Sequence, residues 1–159
     1  MAEFLYHAIL LGIGATLIFD LWGLFLNRAF GVPLSNWGMV GRWFCHLFQG
    51  RAFHDDISLA DPFSHERVAG WVGHYLVGIL FAVLLLAMTS AQWLANPTLL
   101  PPLAVGLATV GLGWFVLQPG MGAGIAASKR PNAGQIRFLN ILGHLVFGLG
   151  LYGTALAIR

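Results

Sequence analysis

Residues 68–128 contain no Asp, Glu, Lys or Arg. A bilayer crossing takes about 20 apolar residues, so this run is long enough for two crossings and far longer than a soluble core helix needs. A chain this short cannot hide such a run inside a water-soluble domain. With 58% hydrophobic and 9% charged residues over 159 positions, the sequence fits one compact membrane domain, 1–159, and leaves no room for a soluble one. The net charge of +2 rests on few groups, which gives no ground for a nucleic-acid partner. The expected surroundings are the lipid bilayer, with a second copy of the chain or another membrane protein as the protein partner.

Four spans are predicted, at about 4–26, 68–89, 101–126 and 133–158. Arg28 closes the first, which contains Asp20 and lacks the basic cluster of a cleaved leader, so it reads as a retained span. Before the second, Ser64 can cap and Glu66 falls in the first helical turn. Pro101-Pro102 opens the third, and Gln118-Pro119-Gly120 with Gly122 and Gly124 should kink or unwind its far end. Asn132 and Gln135 have the spacing of a capping box for the fourth. In the loop 28–66, Val40, Trp43, Phe44, Leu47 and Phe48 repeat at three and four, with Arg42, His46 and Gln49 turned to other sides. That pattern predicts an amphipathic interfacial helix, stopped by Gly50. The fold class is therefore all-α, a polytopic four-transmembrane-helix bundle with an interfacial helix in its first loop.

Arg28, Arg42, Arg51 and Arg67 belong to the first loop, and Lys129, Arg130 and Arg137 to the last connection, whereas the 90–98 turn has no basic residue. With four spans, both basic loops fall on one side. Basic loops face the cytoplasm, which puts both termini outside.

Asp20, His74 and His144 lie well inside the apolar segments. At 1.5 Å per residue, all three sit on the order of 10–15 Å below the cytoplasmic surface, and Gln118 falls at a similar depth. Ionisable groups at such depth are costly and normally face a bundle interior. Thr16 stands one turn from Asp20, Tyr75 beside His74, and Asn140 and Tyr152 along the helical face of His144. Gly12, Gly70, Gly78 and Gly148 share these faces and allow close helix approach. Such a layer can simply glue helices together. It can also bind a divalent transition metal through Asp20, His74 and His144, relay protons, or ligate haem b through the two histidines, with the glycines making room for the macrocycle. The functional classes left open are small-solute or ion handling, a non-catalytic scaffold or assembly factor, and a haem electron carrier.

Other signals are weaker. His46, His54, Asp55, Asp56, His65 and Glu66, joined by Asp61 and Cys45, form a loop cluster of potential ligands without a fixed metal spacing, as expected of a solvated loop. Cys45 is the sole cysteine, so no intrachain disulfide exists. The run Gly120-Met121-Gly122-Ala123-Gly124 follows an apolar helix and not a strand, which favours close packing or a broken helix over phosphate binding. Trp22, Trp71, Trp93 and Trp114 read as span-end or lipid-facing rings. No serine is marked as a nucleophile; no residue set names a reaction, so the chain reads more as a non-enzyme than as an enzyme acting on lipid or quinone.

The combination of Gly14-Ala15-Thr16 with Asp20-Leu21-Trp22, Gly41-Arg42-Trp43, Glu66-Arg67 with Gly70-Trp71 and His74-Tyr75, Gln118-Pro119 with Met121-Gly122-Ala123-Gly124, and His144 with Phe147-Gly148-Leu149-Gly150-Leu151-Tyr152 resembles an uncharacterised family of small bacterial four-helix membrane proteins, a domain of unknown function. The resemblance covers nearly the whole chain. It implies a bacterial inner (plasma) membrane location and supplies no reaction, ligand or catalytic residue.

Overall fold

An apolar segment without water to bond must satisfy its backbone N–H and C=O groups internally, and the helix is the single-segment solution. The computed structural model describes residues 2–159, and among them the regular structure is all helical, with no strand. Helix α1 spans Ala2–Phe30, α2 Trp37–Phe48, α3 Glu66–Thr89, α4 Leu100–Leu112, the short α5 Gln118–Gly120 and α6 Ala133–Ile158. A π-helical stretch, Gly113–Leu117, joins α4 to α5. Four stretches, Ala2–Phe30, Glu66–Thr89, Leu100–Gly120 and Ala133–Ile158, are long and apolar enough to cross a membrane, so the chain fits a multi-pass membrane protein.

The third stretch ends at Gly120 and not near 126. Pro119 has no N–H to donate into the turn before it. Just upstream the helix widens: the Gln118 N–H donates to the Gly113 carbonyl, one residue further back than an α-helix allows.

The chain divides into two compact units. One comprises Met1–Leu34, Tyr75–Thr109 and Ile141–Arg159; the other comprises Ser35–His74 and Val110–Asn140. The first unit is built inside out relative to a soluble bundle. Ala8, Ala15, Ala82 and Ala155 are buried with Leu11 and Leu151, whereas Leu21, Leu76 and Leu80 are 56%, 55% and 61% exposed. Small residues inside allow backbones to approach, and bulky ones outside meet lipid. Gly12 lies against the Ile79 backbone, Gly148 against Pro102 and Leu103, and Gly150 against Ala15.

In the second unit, Asn36 caps α2 by accepting the Met39 N–H, 3.2 Å. Gly50, at φ +81°, follows its end, a conformation costly for other residues. The buried face of α2 joins one aromatic of its apolar stripe to polar side chains. Gly41, Arg42, Trp43 and His46 point inward, while Phe48 is 90% exposed. The polar side chains are inside because the following loop folds back over them and offers its carbonyls. That loop also docks on the glycine-rich run: the His54 N–H donates to the Gly120 carbonyl at 3.0 Å and the Ile57 N–H to the Met121 carbonyl at 3.2 Å. Gly122 has φ +85°, and a Cβ there would strike the Asp55 carbonyl. The run is a broken helix end that accepts a loop.

A Cβ on Gly41 would collide with the Glu66 carbonyl and the Gly70 nitrogen, whereas one on Gly23 would meet nothing within 4 Å. Gly41→Ala should therefore lower the thermal midpoint in detergent, by overpacking worth about 1–3 kcal/mol, while Gly23→Ala should leave it unchanged or raise it. Equal midpoints would contradict the contact between α2 and α3.

Candidate functional site

Within the first unit, Asp20 sits on α1 one turn after Thr16, and its Oδ2 accepts the Tyr75 hydroxyl at 3.0 Å. A carboxylate among apolar helices needs such a donor, since an unanswered charge there is expensive. Thr16 is 1% exposed and lies beside Gly78; its Oγ1 meets no hydrogen-bond partner. His144, on α6, has Nδ1 at 3.1 Å from both the Thr109 Oγ1 and the Gly106 carbonyl. The Thr109 hydroxyl donates to that same carbonyl at 2.8 Å. A carbonyl only accepts and the hydroxyl hydrogen is used, so the imidazole proton belongs on Nδ1 and Nε2 keeps its lone pair. Tyr152 lies two turns further along α6, half-buried.

In the second unit, His74 stacks on Trp37 with ring centroids 3.9 Å apart and planes at 26°, and Trp71 stands edge-on to it at 6.0 Å. Gln118 donates through Nε2 to the Asn140 Oδ1 at 2.9 Å, and the Trp114 indole N–H donates to the same oxygen at 3.1 Å. The Gln118 Oε1 is buried without a partner. Trp114, read from sequence as a span-end or lipid-facing ring, therefore belongs to a polar cluster. The π-helical turn that carries it is the local distortion often found at functional sites.

Within the first unit Asp20 thus bonds Tyr75, and His144 bonds Thr109 and Gly106; within the second, His74 stacks on Trp37, and Gln118 joins Trp114 on Asn140. Among the described residues, no group of three or more His, Cys, Asp or Glu side chains could hold a metal ion. Several glycines of these faces lie in close contact with neighbours, Gly12 with Ile79, Gly78 with Thr16, Gly70 with the Trp37 carbonyl and Gly148 with Pro102.

The loop residues have separate tasks. Glu66 accepts from Arg42 Nε at 2.8 Å and Nη2 at 3.0 Å, and from the Phe63 N–H at 3.1 Å. Arg42 also donates to the carbonyls of Ile57, Ser58 and Ala60. Asp56 accepts from the Ser58 hydroxyl and N–H, which hold its carboxyl below the usual carboxylate range. Asp55 is exposed, and His65 pairs with the Ser64 hydroxyl. His46 and His54 face each other with ring centroids 4.9 Å apart. Sequence reasoning missed Arg42 as a clamp, because only the fold brings Glu66 and three loop carbonyls to one guanidinium.

Lysine cannot reproduce that planar fork. Arg42→Lys should lower the detergent thermal midpoint, and Arg42→Gln should cost more, about 3 kcal/mol, by leaving Glu66 uncompensated. Glu66→Gln combined with Arg42→Gln should recover part of the loss. Strict additivity of the two in a double-mutant cycle would show that the pair is not coupled.

No curated protein and no solved structure matches this chain. A family described as "Protein of unknown function (DUF2938)" matches residues 9–158, and over that length the chain belongs to this family.

Proposed function

We propose that the protein is a bacterial inner-membrane protein that handles a small cationic or protonatable solute, with Asp20 as the intramembrane group that takes up and releases the proton or holds the cation. The observation that carries this reading is the Asp20–Tyr75 hydrogen bond inside apolar helices. An ionisable residue at that depth is functional by default, and the phenol is a donor that stabilises the carboxylate and can pass a proton to it. The basic residues of the two loops support a topology with those loops cytoplasmic and both termini outside. Nothing in this reading calls for a catalysed reaction.

The rival is a non-catalytic scaffold or assembly factor, alone or as a homo-oligomer. It is favoured by the filled glycine notches of the first unit, which suit helices locked together.

Liposomes enclosing a pH-sensitive dye separate the two. Under an imposed pH gradient, the wild type should dissipate it at least about tenfold faster than Asp20→Asn, the scale of losing one proton-transfer group, with Tyr75→Phe between them. Equal rates for the wild type and Asp20→Asn would leave the scaffold reading. Reporter fusions check the orientation: the C-terminus should report outside and a fusion within residues 129–135 should report cytoplasm, and a cytoplasmic C-terminus reverses the map.

A further inference from the structure

Two histidines outside the four spans carry unanswered chemistry, independently of Asp20. His46 lies in the last turn of α2 and is 1% exposed. Its Nε2 is 3.1 Å from the Asp61 carbonyl. His54, in the loop after α2, has Nδ1 at 3.1 Å from the Gly120 carbonyl, where α5 ends. Because a carbonyl oxygen can only accept, the neutral rings carry their protons on His46 Nε2 and His54 Nδ1. The opposite nitrogens, His46 Nδ1 and His54 Nε2, are then bare lone pairs. Both are buried, and neither meets a hydrogen-bond partner.

The rings are 4.9 Å apart between centroids, with planes at 60°, and Phe63 closes edge-on over His46 at 5.1 Å. Two lone pairs cannot answer each other, since neither nitrogen has a hydrogen to give. Left alone, each buried acceptor carries its own desolvation cost.

We propose that His46 and His54 form a binding site for a divalent transition-metal ion of the zinc class, ligated by His46 Nδ1 and His54 Nε2 with water in the remaining positions. Imidazole suits this class of ion. Metal-ligating histidines typically donate their other ring N–H to a carboxylate or a backbone carbonyl, and both rings do so here. Two imidazoles on one tetrahedral ion, at about 2 Å from metal to nitrogen, place their ring centres about 5 Å apart. That agrees with the observed separation. No third protein ligand joins them among the described residues, so the ion is held exchangeably, unlike one in a closed four-ligand structural centre. Its effect is to fasten the end of α2 and the 50–61 loop to the glycine-rich end of the third span.

The test uses the full chain in detergent, stripped with chelator and titrated with Zn2+. The wild type should take up about one equivalent, with a rise in thermal midpoint that reports linkage of binding to folding. Affinity should fall about tenfold or more in His54→Phe, which keeps a ring but no nitrogen. His65→Gln, at an exposed histidine, should bind as the wild type does. His46→Ala should also lose the ion; since it empties a buried position, the decision rests on His54→Phe and on Co2+. Intense visible bands of tetrahedral Co2+ should appear in the wild type and be absent from His54→Phe. No stoichiometric uptake by the wild type, or uptake that His54→Phe leaves unchanged, would overturn the proposal and assign the lone pairs to buried water.

Discussion

Hydrocarbon offers no competing hydrogen bonds, so a polar group in an apolar span gains most when it is answered from within the protein. That constraint organises the polar residues of this chain. The Asp20 carboxylate receives the Tyr75 hydroxyl, His144 shares the Gly106 carbonyl with Thr109, and Asn140 gathers two donors on one oxygen. The same constraint explains the third span. Pro119 removes a donor, and the helix responds by widening into a π turn that keeps the Gln118 N–H bonded.

The second constraint is packing without a hydrophobic driving force. Between helices in lipid, stability comes from close van der Waals contact and hydrogen bonds, and glycine supplies the contact. Gly12, Gly106, Gly148 and Gly150 each bring backbone or side-chain atoms of another helix to a distance that no Cβ tolerates. The bulky leucines and phenylalanines are left to the outside.

Outside the spans the logic changes, because loop carbonyls and charged side chains become available. Arg42 uses the whole guanidinium: two nitrogens for Glu66 and one for three carbonyls of the covering loop. This clamp turns Arg42 inward beside Trp43 and leaves Phe48 outside. An arginine is costly to bury but, once surrounded by acceptors, fixes a geometry that an apolar residue would not specify. The glycine-rich run beyond α5 plays the complementary part, accepting His54 and Ile57 through its own carbonyls.

Four membrane-length helices, their order, the helix in the first loop and the break near Pro119 were legible in the sequence. They follow from local properties: apolar length, proline and glycine chemistry, and a period of 3.6. Partnership was not legible there. Whether Asp20 meets a phenol, whether Trp114 looks toward lipid or toward Asn140, and which face of α2 is buried depend on helix rotation and on a loop folding back. Those are set by contacts between residues far apart in the chain, such as Arg42 with Glu66 or His54 with Gly120. The sequence by itself determined which segments are long and apolar enough to cross a membrane, because that depends on transfer from water to lipid along each segment. The tertiary structure alone decided which polar groups answer one another, because a hydrogen bond needs both of its ends placed in space.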